Sequence, residues 1–373
     1  LYIDIERGID NMTEEESLYR LSCISGVYRR KIKKLLDIYG SANNLYELSN
    51  KEISKIGILT ESEKGALIAN KNDFSIMERM FRLKEQNIEF ISYKNACYPE
   101  KLKNISDSPW YLFQKGKRYE KKPSVAIVGA RNCSNYGKEI ALDYARELAG
   151  NGVTIISGLA RGIDSYAHMG ALEMGGDTIA VLGCGVNVCY PKENYQLYCD
   201  IANSGVIISE YPVDMQPRSM FFPERNRIIS GLADIILVVE ARIKSGSLIT
   251  ADFALEQGKD VFAIPGRVTD GLSQGCNQLI CQGAAIANSP SEIMEELGIK
   301  YVKNKKLLKK SNNLLERKEN MLYSCLDLQP KSLDEILSNI DLTYKEILMT
   351  LVDLEIKGLI KETSKNYYIR IDV

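Results

Sequence analysis

The chain reads as an α/β protein built on a mostly parallel sheet wrapped by helices, and three observations predict it. From Ser124 onward, short β-rich runs alternate with helical stretches. Those runs are almost continuously apolar, as strands buried on both faces should be. The helix after the first run carries Ile140, Tyr144 and Leu148 at i, i+4 and i+8 beside Ala141, Ala145 and Ala149, one apolar face for a sheet.

In chain order, strands are expected at Val125–Gly129, Val153–Ser157, Thr178–Leu182, Val206–Ser209, Asp234–Val239 and Asp260–Ala263. Ahead of them, residues 12–70 divide into short helices at Glu14–Cys23, Arg29–Tyr39, Leu45–Leu48, Asn50–Ile56 and Glu61–Asn70. Behind them, three helices near 319–326, 333–338 and 343–357 lead into Leu359-Ile360-Lys361 and Tyr367-Tyr368-Ile369, whose alternation predicts a hairpin. The last of these helices is expected to bury Ile347, Leu348, Leu351, Val352 and Leu354. At 373 residues and 41.9 kDa, more than one core is expected.

Composition removes several classes. With 45% hydrophobic and 26% charged residues, the chain is not mostly disordered. No apolar run approaches the roughly 18 residues that span a bilayer, and no leader-like segment opens the chain, so a cytoplasmic location without a membrane is expected. Nine cysteines without a Cys-x-x-Cys pair fit a reducing compartment. A single histidine, His168, excludes a histidine-rich metal site, and no metal or cofactor is expected. The chain opens on Leu1; residues 1–11 are expected to be a non-native or disordered extension, with Met12 the natural start.

The net charge of −1 conceals a division. Residues 1–122 hold 22 basic and 18 acidic residues (+4), 123–297 hold 12 and 20 (−8), and 298–373 hold 14 and 11 (+3). Within the last part, 300–318 is a strap of 8 basic residues and 1 acidic (+7), followed by an end piece of 6 and 10 (−4). Anion binding must therefore come from local placement of a few arginines.

Those arginines cluster at strand ends. The first strand ends Gly129-Ala130-Arg131, the second Ser157-Gly158-Leu159-Ala160-Arg161-Gly162, the third Gly183-Cys184-Gly185 and the fifth Glu240 to Ser247; Arg218, Arg225 and Arg227 lie nearby. In such sheets ligands sit beyond the carboxyl ends of the strands. Glycine lets a ligand approach the backbone, amides at helix starts favour phosphate, and guanidinium groups suit it. Glycine also serves βα turns through geometry alone, so the arginines carry this inference. No G-x-G-x-x-G and no G-x-x-x-x-G-K-[ST] occurs. Asp164, Ser165 and His168 form a possible catalytic trio on paper, but the histidine sits in a Gly/Ala-rich helix and is read as packing.

Val125 to Arg131 followed by Tyr136-Gly137, then Ser157 to Asp164 with Ala167-His168, resembles the DprA/Smf family of DNA-processing proteins. Phe222 to Leu232, Val239-Glu240-Ala241, Ser245 to Ala251, Pro265-Gly266 and Gly275 to Ile280 extend the likeness over most of residues 97–297. The family's usual Gly-Ser-Arg is Gly-Ala-Arg here, which removes a hydroxyl and keeps the arginine. The resemblance implies an extended Rossmann domain over 73–298 that binds single-stranded DNA and loads RecA recombinase onto it in natural transformation and recombination, as a homodimer and without enzymatic activity. It places the strand-binding pocket on Arg131, on Arg218 and on Phe221 or Phe222. Gly129, Gly158, Arg161, Arg225, Asn226, Arg227, Lys244, Ser245, Gly246 and Thr250 complete the expected DNA-binding set. Guanidinium groups for phosphate and an aromatic face for a base suit sequence-tolerant binding.

Residues 12–72 resemble a SAM-like or helix-hairpin-helix unit. Tyr28 replaces the second glycine of a DNA-gripping hairpin, which favours packing or partner binding over phosphate contact. Residues 299–318 read as a basic linker and 319–373 as a winged helix whose would-be recognition helix carries a net −1, better matched to a protein partner than to a groove. Competence-machinery proteins are the implied partners of the end domains. Two rival classes fit less well: a Rossmann phosphoribohydrolase, whose catalytic glutamate would fall on Phe253, and a winged-helix regulator, at odds with the acidic end domain.

Overall fold

The computed structural model describes residues 12–24, 26–73, 75–302, 317–327 and 329–371. It divides into two compact units, Leu1–Tyr301 and Val302–Val373. Residues 1–11 and most of the basic strap lie outside the described residues.

The first unit opens with six helices, α1 (Glu14–Ser22), α2 (Arg29–Tyr39), α3 (Ala42–Glu47), α4 (Asn50–Ser54), α5 (Glu61–Lys71) and α6 (Ser75–Leu83). Helices α1, α4 and α5 start at reciprocal capping pairs, Thr13 with Glu16, Ser49 with Glu52 and Thr60 with Glu63. A two-stranded edge follows, β1 (Ile88–Ser92) and β2 (Tyr111–Gly116), separated by α7 (Glu100–Lys103). The alternating part then runs β3 (Ser124–Val128), α8 (Asn135–Gly150), β4 (Thr154–Ser157), α9 (Ile163–Glu173), β5 (Thr178–Val181) and α10 (Tyr195–Ser204). It continues with β6 (Val206–Ser209), α11 (Phe221–Leu232), β7 (Ile235–Val238), α12 (Gly246–Glu256), β8 (Asp260–Ala263), α13 (Gln274–Cys281), β9 (Ala285–Ile286) and α14 (Pro290–Glu296).

Nine strands make one sheet in the order β1-β2-β6-β5-β4-β3-β7-β8-β9. The seven from β6 to β9 are parallel, while β2 joins β6 and β1 joins β2 antiparallel. The expected α/β class with a parallel sheet is what the chain adopts. Strands β1, β2 and β9 have no counterpart among the sequence expectations, because Glu89, Gln114 and Lys115 break the apolar runs of the first two and β9 has only two residues, both exposed. From the central β3 the chain winds outward to β4, β5 and β6 on one side and to β7, β8 and β9 on the other. That reversal opens a crevice beyond the carboxyl end of β3.

The helical segment has no core of its own. Leu18, Tyr19 and Leu21 of α1 share one hydrophobic cluster with Phe90 and Phe113 of the edge hairpin and Ile207 of the sheet. The Tyr19 and Phe90 rings meet edge to face at 5.3 Å. The boundary expected near residue 72 thus runs through elements joined by common burial.

The second unit packs α15 (Arg317–Cys325), α16 (Leu333–Asn339) and α17 (Tyr344–Ile356) against a sheet of β10 (Lys331–Ser332), β12 (Tyr367–Arg370) and β11 (Ile360–Ser364) in that order, a winged helix. Leu322, Ile336, Ile347, Leu351 and Leu354 form its core. One expectation fails here: Val352 is 54% exposed rather than buried. Its neighbour Leu351 takes the inward position, and one helical step of about 100° turns Val352 to solvent.

Candidate functional site

The crevice beyond β3 is a cleft of about 420 Å³. Its walls come from the β3–α8 turn (Gly129, Arg131), the start of α9 (Asp164), the start of α11 (Phe222, Arg225, Asn226) and the start of α12 (Ser245, Gly246, Thr250). Of the fourteen expected binding residues, these include Gly129, Arg131, Phe222, Arg225, Asn226, Ser245, Gly246 and Thr250. Two turns approach closely here because Gly162 adopts φ +74°, and a β-carbon there would strike the backbone of Ala130 and Arg131.

Arg131 is exposed, and no carboxylate pairs with it among the described residues. Its guanidinium carbon stands 5.6 Å from the centre of the Phe222 ring. The Tyr190 ring also neighbours Phe222, centroid to centroid 5.3 Å. Tyr190 belongs to a smaller pocket with Gly158, Ala160, Arg161 and Pro191 that borders the cleft through Arg131, Phe222 and Arg225. Sequence reasoning missed it, although a tyrosine before proline in a strand-end loop is the kind of residue such a site would use.

The adjacent phenylalanines divide. Phe221 is 1% exposed, stacked on Tyr211 at 4.1 Å and edge-on to Tyr28 at 5.7 Å, so it is core and not a base platform. Phe222 is the half-buried ring in the cleft. The arginines divide in the same way. Arg225 is buried, and its Nη1 donates to the carbonyls of Gly158 (2.7 Å) and Val181, tying the ends of β4 and β5 together. Burial depresses its pKa and the Asp164 carboxylate opposes that; burial in turn raises the pKa of Asp164 against the pull of Arg225.

Arg227 is not a DNA-facing residue. It is 1% exposed, and its Nη2 donates to both Glu210 carboxylate oxygens at 2.7 and 2.6 Å. Burial works most strongly against its charge, but the Glu210 and Asp107 carboxylates together outweigh it and raise the pKa. Gly158 is buried beneath Arg225 and lines the smaller pocket rather than the cleft. Arg161 is exposed but paired with Glu193. Arg218 lies outside the cleft, over the rings of Tyr28 (5.9 Å) and Phe221 (5.7 Å). Lys244 lines an adjoining groove with Leu248, Gln278 and Gln282, which shares Ser245 and Gly246 with the cleft.

Two helix starts near the cleft differ. At α8, Ser134 caps Gly137 N, and Glu240 accepts from both the amide and hydroxyl of Ser134, so an internal carboxylate occupies the position. At α12, Ser245 makes no capping bond; its hydroxyl pairs with that of Ser247 at 2.5 Å, leaving first-turn amides for an anion. His168 is fully buried, its Nδ1 2.7 Å from Thr178 Oγ1, and burial depresses its pKa to about 3. Asp164 accepts from Gly158 N at 3.1 Å and Ser165 donates to the Ala160 carbonyl at 2.6 Å, so the paper trio does not assemble. Among the described residues, no group of three or more His, Cys, Asp or Glu could hold a metal, and no helix is long and apolar enough to cross a membrane.

A doubly wound sheet whose switch point presents an arginine without an ion-pair partner, an aromatic face and an open helix start defines a protein of the Rossmann-like class, with groups of the kind that suit an anion. Comparison with known proteins narrows the class. The family DNA recombination-mediator protein A matches residues 89–298, and the DprA winged helix domain matches residues 309–364. The chain belongs to the DprA/Smf family of DNA-processing proteins. It is 45% identical over 234 residues to DNA processing protein DprA of Streptococcus pneumoniae, covering 61% of this chain and 83% of that one. With the Smf protein of Synechocystis it shares 30% over 389 residues, 94% and 98% of the two chains. The X-ray structure of the S. pneumoniae protein superposes with TM-score 0.66 at 38% identity, over 78% of this chain and 100% of that one. DNA processing protein A of Helicobacter pylori, described with a unique single-stranded DNA binding mode, gives TM-score 0.52 at 32% identity over 56% and 95%.

Proposed function

We propose that this chain binds single-stranded DNA in the β3 cleft and delivers it to RecA recombinase, in natural transformation or recombination, as a cytoplasmic homodimer without bond chemistry of its own. One observation carries the reading: Arg131, which forms no ion pair among the described residues, stands beside the Phe222 ring at the sheet's switch point. A guanidinium for phosphate next to a face for a base is what sequence-tolerant strand binding needs. The single-stranded DNA binding described for the H. pylori relative supports the same ligand. The scattered bonding of Asp164, Ser165 and His168 supports a binding role over a hydrolytic one.

The test is a gel-shift comparison of single-stranded and duplex DNA of equal length, followed by RecA nucleation on strands coated with single-strand-binding protein. Preferential single-strand binding and faster nucleation are expected. Equal affinity for duplex at moderate salt would sink the cleft model, and unchanged nucleation would sink the RecA step.

A further inference from the structure

Helix α2 carries more positive charge than its fold requires. Its first turn holds Arg29, Arg30 and Lys31 with no acidic residue and no side-chain cap, whereas α1, α4 and α5 each place glutamates there. Cations at a helix start oppose the helix dipole, so this arrangement is costly unless an anion answers it. Some of the charge is answered internally. Arg29 pairs with Asp107 at 2.6 Å and approaches Glu224 of α11 at 3.9 Å, Lys31 pairs with Glu63, and Lys33 donates to the Ser106 carbonyl at 3.3 Å. Arg30 and Lys34 are exposed, sit at i and i+4 on one helix face, and have no carboxylate partner among the described residues.

The start of this helix is held against α11, which carries the cleft's aromatic face. Tyr28, just before α2, meets Phe221 edge to face at 5.7 Å, and the exposed Arg218 lies over both rings. The next residue, Phe222, is the cleft's own aromatic face. Three sets of groups follow one another: Arg131 with Phe222 in the cleft, Arg218 over Tyr28 and Phe221, and the exposed Arg30 and Lys34 on the helix that Tyr28 opens, a candidate cationic track. We propose that a single strand leaving the cleft runs across this track, with Arg30 and Lys34 holding its phosphates, so that the helical segment lengthens the binding site. The proposal rests on the single-strand reading of the cleft. It uses side chains of α2, not the hairpin amides that Tyr28 makes unsuitable.

The experiment titrates full-length protein with oligothymidines of about 6 and about 20 nucleotides, the short one sized for a single site. Wild type, Arg30→Ala/Lys34→Ala and Arg131→Ala are compared by fluorescence anisotropy at several salt concentrations. The double variant is expected to bind the long strand about tenfold more weakly, with a salt slope shallower by about 1.4, two phosphates at roughly 0.7 each. Its affinity for the short strand should be that of wild type. Arg30→Gln/Lys34→Gln, which keeps side-chain bulk, should reproduce the loss. Unchanged long-strand binding overturns the track and leaves the cleft standing; equal losses on both lengths also overturn it, since the cations would then act as a general field. Wild-type binding by Arg131→Ala at both lengths defeats the cleft reading itself, and the track with it.

Discussion

Arg225 lies directly on Gly158: its Nη1 donates to the Gly158 carbonyl at 2.7 Å, and a β-carbon at position 158 would run into its Nη2. The same guanidinium reaches the Val181 carbonyl, so one side chain of α11 joins two strand ends and sets the floor of the cleft. Gly158→Ala should push Arg225 out of this seat. A destabilisation of about 1–3 kcal/mol is expected from overpacking and broken hydrogen bonds, together with weaker strand binding. Urea unfolding and an affinity titration check both; an unchanged midpoint would show that Arg225 has room to move.

Phe221 and Phe222 should separate stability from binding. Phe221→Ala empties a buried site between Tyr211 and Tyr28 and should cost about 3–5 kcal/mol in chemical denaturation. Phe222→Ala should leave the unfolding midpoint nearly unchanged but remove a base platform worth about 1–3 kcal/mol of strand affinity. The reverse pattern would mean that the two rings are assigned the wrong way round.

Arg131→Ala should weaken single-strand binding far more than His168→Ala does. The first removes an exposed cation without an ion-pair partner from the cleft; the second disturbs a buried packing group. Equal affinity losses in two folded proteins would contradict this, and nucleotide turnover that vanished with His168 would revive the enzyme reading.

His168 also predicts acid sensitivity. Its folded pKa is depressed to about 3 by burial, while the unfolded chain titrates near the ordinary 6.5. Between those values the unfolded state holds the extra proton, so the stability is intact above about 6.5 and is lost as pH falls towards 3. The slope attributable to this residue is at most about 1.4 kcal/mol per pH unit. His168→Gln should be less stable at pH 7.5 yet lose less between pH 6 and pH 4; parallel losses in both proteins would assign the acid effect to other groups.

Removing residues 319–373 should leave most single-strand affinity intact, since that piece carries a net −4. Removing 300–373 should cost a further part, because the strap carries +7; that part should fade with salt as the screening length shrinks to about 8 Å. Titrations of the full chain and both truncations at two ionic strengths check this. Loss of binding on the shorter deletion, with the rest folded, would make the winged helix the main DNA module.

The sequence shows most of the parallel sheet plainly, because strands buried on both faces are written as apolar runs such as Val125 to Val128 and Ile235 to Val238. It shows the edge hairpin poorly, since Gln114 and Lys115 interrupt the run of β2. At the cleft, Arg131 is legible from its place after a strand. The roles of Phe221 and Phe222 are not, because two aromatics at a helix start give no phase to choose between them. Arg225 and Arg227 look alike in an Arg-Asn-Arg segment; what separates them is Glu210 and the carbonyls of Gly158 and Val181, distant in the chain. Such long-range pairing leaves no local periodicity to read.

The cleft's two walls are made far apart in time as well as in sequence. Arg131 and Ser245 line the same opening although 114 positions separate them (245 − 131). A chain emerging from the ribosome carries Arg131, Arg161, Arg218 and Arg225 before the turn that opens α12 exists, so it has the charges without the surface that faces them. Strand binding should then begin only after about residue 250 has been synthesised and β7 has settled against β3. From that moment a bound strand favours the finished sheet over every shorter or partly folded chain, because it binds the native state alone. Nucleic acid met too early would find scattered cations, and the nascent chain would find its ligand only once both walls of the cleft are in place.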